Sequence, residues 1–223
     1  MPIALDFAAI FQAWPLLLKG MAWTLGLTTI AAVLGLALGI AAAWTRTEGS
    51  GVGRLLVAMY VESIRNTPFI VQLFFIFFGL PALGVKLSPE WASVIAMVIN
   101  LGAYSAEIVR AGIQATPRGQ VEAALSLAMT RTQIFTRVVL PPALQRVWPA
   151  LVSQIIIVML GSAVCGQIAT EELSFAANLI QSRNFRAFEA FIVATALYLL
   201  LSITVRDVLN RVGRRFLFGG RRG

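Results

Sequence analysis

The chain has 223 residues, of which 58% are hydrophobic and only 13% are charged. Soluble domains carry about 25% charged residues, so this balance excludes an ordinary soluble protein and indicates an integral membrane protein. Histidine is absent and Cys165 is the single cysteine, which argues against a zinc site, an intrachain disulfide and histidine-based catalysis. The net charge of +8 does not indicate nucleic-acid binding, because arginines that flank membrane spans produce the same excess. We therefore predict no catalytic residue, no resident metal and no nucleic-acid partner.

Five apolar segments are each long enough to cross about 30 Å of hydrocarbon as a helix, which takes about 20 residues. They cover residues 15–44, 55–80, 88–111, 147–168 and 188–211. The runs are continuous and do not alternate, which favours helices over barrel strands. The sequence predicts an all-α membrane protein with five transmembrane helices in a single domain over 1–223. Pro68 and Pro149 are expected to kink the second and fourth spans.

The basic residues divide unequally between the two sides of these spans. One side carries four cations: Lys19, Lys86, Arg183 and Arg186. The other side carries 13: Arg46, Arg54, Arg110, Arg118, Arg131, Arg137, Arg146, Arg206, Arg211, Arg214, Arg215, Arg221 and Arg222. Cytoplasmic loops are the basic ones, so the N-terminus is predicted to lie outside and the C-terminus in the cytoplasm.

The polar segment between the third and fourth spans, residues 112–146, is punctuated like a pair of helices. Thr116 is expected to cap the first helix, with Pro117 at its first helical position. Thr130–Gln133 reads TRTQ and predicts a capping box at the start of a second short helix. Pro141–Pro142 is expected to end that helix at Leu140 and to begin another. A surface hairpin that joins two spans and a rigid docking element for a partner protein both fit this pattern.

Residues 122–142 read EAALSLAMTRTQIFTRVVLPP, with Glu-Ala-Ala at the start and Leu-Pro near the end. The stretch resembles the EAA motif of permease subunits in bacterial ABC importers, with Ala128 where the family has glycine. RNTPFIVQLFFIFFGLP at 65–81 and AYSAEIVRAGIQATPRGQVEAA at 103–124 resemble the branch that imports polar amino acids of the histidine, glutamine, arginine and opine type.

The resemblance implies a type I importer permease whose 112–146 loop carries a cytoplasmic coupling helix. That helix would lie in a groove on an ATPase subunit and would transmit ATP-driven motion to the spans. The residues implied in this contact are Glu122, Ala123, Ala124, Leu125, Ala128 and Met129. The chain has no G-x-x-x-x-G-K-[ST] loop, so ATP and magnesium would be held by the partner and this chain would bind no cofactor.

The resemblance also implies a set of partners and a location. The expected partners are two ABC ATPase subunits, a second permease that is identical or homologous, an external solute-binding protein and a polar amino acid. The expected location is the bacterial inner membrane, with lipid around the spans.

Polar residues within the spans are candidates for a solute path, because stranded polar groups are costly in lipid. Ser93, Asn100, Tyr104 and Glu107 fall on one face of the third span. Hydrogen bonds between helices, and pairing of Glu107 with Arg110, are the alternative explanation. The candidate path residues are Gln72, Asn100, Tyr104, Glu107, Gln154 and Ser162.

Two further stretches bear on packing and recognition. Gly35–Gly39 reads GLALG, a GxxxG pattern that predicts close packing of the first span against another helix. Leu160–Gly166 reads LGSAVCG, where many members of the amino acid branch carry an acidic residue. If that acid holds a cationic ligand in the family, either a non-identical partner permease binds the ligand here or the substrate is not basic. The middles of the third and fourth spans contain no Asp, Lys or Arg, so we expect recognition mainly through hydrogen bonds and backbone dipoles.

Two other functions are alternatives to the permease interpretation. An ion-coupled secondary transporter usually shows internal repeats and an intramembrane charge, and no repeat is evident here. A membrane scaffold whose hairpin only recruits a partner would need no solute path.

Overall fold

The computed structural model describes residues 5–217, and nearly all of them are helical. No β-strand occurs in this range, which confirms the all-α prediction. Arg221 and Arg222 of the basic side lie outside the described residues. The α-helices are α1 (Ala8–Gln12), α2 (Trp14–Glu48), α3 (Gly51–Arg65), α4 (Phe69–Phe74), α5 (Pro89–Gln114), α6 (Arg118–Ser126), α7 (Arg131–Gln133), α8 (Leu140–Gly161), α9 (Leu173–Asn184) and α10 (Ala187–Phe216).

Four helical stretches are long and apolar enough to cross a membrane: α2, α5, α10 and the continuous stretch from Arg131 to Ile168. α3 and the stretch Phe69–Leu83 give a fifth if the two are counted as one bent span. Below, the end of the bundle that carries Arg46 and Arg110 is called the basic end, and the end that carries Lys19 is called the opposite end.

The second predicted span is bent sharply rather than continuous over 55–80. α3 and the following helix meet at an angle of 111°. Pro68 accounts for the break, since its ring disfavours helical backbone at Thr67 and it donates no hydrogen bond. The amide of Gln72 spans the bend, because Nε2 donates to the carbonyl oxygens of Ile64 at 2.7 Å and Thr67 at 2.9 Å. The prediction of one continuous span is corrected to two helices fixed across a bend.

Pro141 and Pro142 do not end a helix, and in this respect the sequence prediction was wrong. The helical path continues from Arg131 to Ile168 through a wide π-helical turn at Ile134–Val139. Both prolines stand in the first turn of α8, where a missing N–H is tolerated, and the wide turn gives their rings room. The end of the 112–146 segment is therefore rigidly joined to α8.

α2 packs along α5, and this is the most extensive helix contact in the described structure. Gly35 faces Leu101 and Gly39 faces Ser105. A Cβ added at Gly39 would lie 2.6 Å from Cβ of Ser105, closer than side chains approach. The predicted close packing through the GLALG stretch is confirmed.

A buried carboxylate organises the opposite end of the bundle. Glu172 is fully buried and caps α9, accepting hydrogen bonds from the backbone N–H groups of Ser174 at 2.8 Å and Phe175 at 2.7 Å. The Tyr198 hydroxyl of α10 donates to the same carboxylate. Glu172 therefore fastens α9 to α10.

Candidate functional site

The first helix of the 112–146 segment is α6, which begins at Arg118. Pro117 occupies its N-cap position with extended backbone, and no side chain caps the helix. The predicted cap by Thr116 was therefore wrong. The Thr116 hydroxyl is buried and has no hydrogen-bond partner among the described residues.

The six residues expected to contact an ATPase differ in exposure. Ala124 is buried against Ile134 and Val139, and Met129 is half-buried in the same cluster. The other four are exposed: Glu122, Ala123, Leu125 and Ala128. α6 is thus held to the body by one face and presents the remainder to a partner.

Leu127 is a further candidate contact that the sequence analysis missed. Its side chain is 76% exposed, more than the 56% of Leu125. Its position in the sequence could have indicated this exposure, since Leu127 lies outside the apolar helix face that contains Ala124. Leu125 and Leu127 thus leave two large apolar side chains exposed at the end of α6.

The predicted capping box is confirmed. The N–H of Gln133 donates to Oγ1 of Thr130 at 3.3 Å, and the N–H of Thr130 donates to Oε1 of Gln133 at 2.9 Å. These reciprocal bonds fix the start of α7. α6 is held to this part of the segment by the packing of Ala124 against Ile134 and Val139.

Ala128 has a φ of +55°, in the left-handed region that favours glycine. Its N–H donates to the carbonyl of Leu125 at 2.9 Å, and the N–H of Met129 donates to that of Ala124 at 3.2 Å. The turn between α6 and α7 thus has the conformation that glycine favours, although alanine occupies it.

Replacing Ala128 with glycine is expected to stabilise the protein. A residue with a Cβ in the left-handed region is strained by about 1–2 kcal/mol, and glycine would relieve this strain. Glycine also gives the unfolded chain more conformational freedom, which offsets roughly 0.5–1 kcal/mol of the stabilisation. The free energy of unfolding should rise by about 0.5–1 kcal/mol, measured by thermal unfolding of the purified protein in detergent. Ala123→Gly is the control, because Ala123 is exposed and helical, and it should lower stability by about 1 kcal/mol. Equal losses of stability in Ala128→Gly and Ala123→Gly would contradict the backbone strain at Ala128.

A cavity of about 500 Å³ lies between α6 and the basic ends of α2 and α5. Glu122 and Leu125 border it from α6. Glu48 and Arg131, which also line it, form an exposed ion pair at 3.7 Å. The exposed face of α6 therefore adjoins a depression that a protein partner could fill.

A second cavity, of about 330 Å³, lies beside the bend at Pro68. Three of the six candidate path residues line it: Asn100, Tyr104 and Gln154. None of the residues that line it is charged. The cavity offers hydrogen-bonding groups on apolar walls, which is typical of a site for a small polar solute.

Gln72 and Ser162 do not line this cavity. Gln72 is buried behind it, where its Oε1 accepts from Nδ2 of Asn100 at 3.0 Å. This bond, with those to Ile64 and Thr67, makes Gln72 a brace between the bend and α5. The buried hydroxyl of Ser162 donates to the carbonyl of Met159 at 2.7 Å.

Glu107 lies at the basic end of α5 inside a cluster of arginines and does not line the cavity. The predicted pair with Arg110 is confirmed, with Nη2 to Oε2 at 2.6 Å. Arg46 of α2 also bonds the carboxylate, and Nη1 of Arg65 lies 4.0 Å away. Arg65 in turn lies over the ring of Tyr104 at 5.6 Å. Glu107 therefore joins three helices below the cavity.

Long apolar helices, an uncharged polar cavity beside a helix break and an exposed short helix at the basic end define a membrane-embedded transport subunit. Residues 35–217 match the family described as binding-protein-dependent transport system inner membrane component, and the chain belongs to this family. The resemblance to ABC importer permeases is confirmed, which favours the permease over the secondary transporter and the scaffold.

Individual relatives agree with this assignment. The glutamine transport system permease protein GlnP of Escherichia coli strain K12 is 34% identical over 212 residues, covering 94% of this chain and 97% of the relative. The L-cystine transport system permease protein TcyB of Bacillus subtilis strain 168 is 34% identical over 203 residues, covering 91% and 87%. A chain from a crystal structure of an amino acid ABC transporter with histidines superposes with a TM-score of 0.85 at 36% identity, covering 96% of this chain and 100% of that chain.

Proposed function

We propose that the chain is the membrane-spanning permease subunit of an ATP-driven importer, and that it carries a polar amino acid or a related small solute into the cytoplasm by alternating access. Relatives named as glutamine and L-cystine permeases support the substrate class. The observation that carries the proposal is α6, which Ala124 holds to the body while Glu122 and Leu125 stay exposed. In this proposal α6 is the coupling helix.

The connection between α6 and the spans supports a mechanical role. The packing of Ala124 against Ile134 and Val139 joins α6 to the helical stretch Arg131–Ile168, which is continuous. Gln154 on that stretch lines the polar cavity. A push on α6 by a closing ATPase dimer would therefore move one wall of the cavity.

The remaining components follow from this role. One ABC ATPase subunit would bind at α6 and another at the second permease, and the two ATPase subunits would hold ATP and magnesium. This chain would bind no cofactor and would remain non-catalytic. A second permease, identical or homologous, would complete the path, and an external binding protein would deliver the solute.

The basic end with α6 would face the cytoplasm of a bacterial inner membrane, and the N-terminus would lie outside. ATP supplied on the α6 side alone should therefore drive transport in vesicles.

The cavity at the bend is our proposed solute path, with Asn100, Tyr104 and Gln154 in contact with solute. Gln154→Leu is expected to lower solute uptake by about 5- to 150-fold, since one lost hydrogen bond to a solute leaves a group unpaired and costs about 1–3 kcal/mol. ATPase activity without solute should be unchanged. Gln181→Leu on α9 is the matched control and should transport normally. Normal uptake by Gln154→Leu would remove Gln154 from the path.

The coupling role is tested by Glu122→Lys in the assembled complex with its ATPase and binding protein, reconstituted into vesicles. Reversing this exposed charge is expected to abolish ATP-driven uptake and the stimulation of ATP hydrolysis by the loaded binding protein. Glu90→Lys, the same change at the opposite end, should retain both. Uptake that survives Glu122→Lys in an intact complex would contradict coupling through α6. Uptake by the permease alone, without ATPase, would support an ion-coupled secondary transporter instead.

A further inference from the structure

Arg65, the last residue of α3, places a positive charge beside the cavity at the bend. Its guanidinium lies over the ring of Tyr104, 5.6 Å from the ring centroid, and Tyr104 lines the cavity. The hydroxyl of Tyr104 donates to the carbonyl oxygen of Arg65 at 3.5 Å, so Tyr104 contacts both the backbone and the side chain of Arg65. Thr67 and Pro68, which follow shortly after Arg65 in the chain, also line the cavity. Arg65 therefore lies at the edge of the cavity nearer the basic end.

The charge of Arg65 is only weakly compensated within the chain. Its one ion pair among the described residues is with Glu107, at 4.0 Å, and that carboxylate already bonds Arg46 and Arg110. One negative charge is thus shared among three positive charges. Glu62, one turn earlier on α3, pairs with no cation in the part of the chain that the structure describes. The side chain of Arg65 is 43% exposed, more than those of the other two arginines, so Arg65 is the member of the cluster that is free to change its partner.

The polar groups at the cavity follow one another along α5 in a fixed order. Nδ2 of Asn100 donates to Gln72, which leaves Oδ1 of the same amide as an acceptor. Tyr104 lies about one helical turn nearer the basic end, and the guanidinium of Arg65 lies against it. An acceptor followed by a cation matches, in order, the ammonium and carboxylate groups of an α-amino acid. A carboxylate that entered the uncharged cavity without a cation beside it would lose its hydration without compensation.

We propose that Arg65 binds the carboxylate of the solute at the edge of the cavity and thereby selects solutes that carry this group. The inference rests on the proposed solute path. The guanidinium would exchange its 4.0 Å contact with Glu107 for a bidentate pair with the carboxylate, the geometry that arginine favours. Glu107 would keep Arg46 and Arg110, so α2 and α5 would stay joined while solute is bound. The ammonium group would lie toward Oδ1 of Asn100.

The test is the binding of L-glutamine and L-arginine, each compared with its α-amide, to the assembled complex of permease and ATPase in nanodiscs. Saturation-transfer difference NMR gives the affinities, and the external binding protein is left out so that any preference for the carboxylate arises in the permease. The amino acid that binds more tightly to the wild type should exceed its amide about ten-fold, as expected for a hydrogen bond between charged groups. Arg65→Gln should remove this preference by weakening the amino acid about ten-fold while leaving the amide within about two-fold.

Two further variants serve as controls. Arg54→Gln removes the same charge from the same helix, because Arg54 is exposed and forms no ion pair with another described residue. It should keep the preference of the wild type. Arg65→Lys keeps the charge but loses the planar fork of donors, and it should retain part of the preference.

The comparison with the amide separates binding of the carboxylate from a purely structural role. If Arg65 only supported the bend, Arg65→Gln would weaken the amino acid and its amide equally, and that result would overturn the proposal. Equal affinities of the wild type for an amino acid and its amide would overturn it as well, while leaving the solute path in place. Absence of binding of both amino acids to the wild type would instead contradict the solute path itself.

Discussion

Replacing Gly39 with leucine is expected to abolish recovery of folded protein from the membrane. Even a single Cβ at this position would lie 2.6 Å from Cβ of Ser105 and 3.1 Å from both the backbone nitrogen of Ala106 and the carbonyl oxygen of Gly102. Two of these neighbours are backbone atoms of α5, which cannot rotate away. Overpacking by a few methylene groups costs about 1–3 kcal/mol, and leucine would force α2 and α5 apart along their whole contact.

Gly26→Leu is the matched control on the same helix. A Cβ at Gly26 meets nothing within 4 Å, so leucine fits there and gains about 0.8–1.0 kcal/mol of helix propensity. Detergent extracts of the two variants should differ clearly in size-exclusion chromatography, with a monodisperse peak for Gly26→Leu and aggregate for Gly39→Leu. Gly39→Ala should give an intermediate protein with a lower melting temperature. A normal peak for Gly39→Leu would show that α2 does not depend on this contact.

Short-range features of the fold and the site could be predicted from the sequence because the partners lie within one or two helical turns. The capping box joins residues three apart, Thr130 and Gln133, and the Glu107–Arg110 pair has the same spacing. The GLALG stretch also indicated close packing, since two small residues four apart define a flat helix face. Its partner, α5, could not be identified in this way.

Features that depend on distant contacts were not predictable. Arg46 bonds Glu107 across 61 residues, and Tyr198 bonds Glu172 across 26. Pro68 indicated a kink, but the angle depends on the brace that Gln72 of α4 forms across the bend to the carbonyl oxygens of Ile64 and Thr67. Side-chain type also did not separate Gln72, which supports the bend, from Asn100, which lines the cavity.

Replacing Glu172 with alanine is expected to destabilise the protein by about 3 kcal/mol or more. The change leaves the N–H groups of Ser174 and Phe175 and the hydroxyl of Tyr198 without their acceptor. Each unpaired buried group costs about 1–3 kcal/mol. The measurement is thermal unfolding in detergent, together with the yield of folded protein.

The neighbouring glutamate provides the control. Glu171 is exposed and pairs with Lys19, and exposed ion pairs contribute only about 0–1 kcal/mol. Glu171→Ala should therefore unfold close to the wild-type temperature. Similar melting temperatures for the two alanine variants would show that the Glu172 carboxylate does not fasten α9 to α10.

The protonation of Glu172 adds a pH dependence to this prediction. Burial raises the pKa of its carboxyl above the ordinary value, although hydrogen bonds from Tyr198, Ser174 and Phe175 act in the opposite direction. The folded protein therefore binds this proton more tightly than the unfolded chain. The resulting stabilisation is fully present below the ordinary glutamate pKa and is lost as pH rises through the folded-state pKa.

Glu172→Gln keeps an oxygen acceptor but cannot titrate. The melting temperature of the wild type should consequently fall relative to that of Glu172→Gln as pH rises through this window, while Glu171→Gln should follow the wild type at every pH. A difference between wild type and Glu172→Gln that is constant with pH would contradict this prediction. That result would mean that Glu172 holds its proton equally well in the folded and unfolded chain, and that its role is limited to accepting hydrogen bonds.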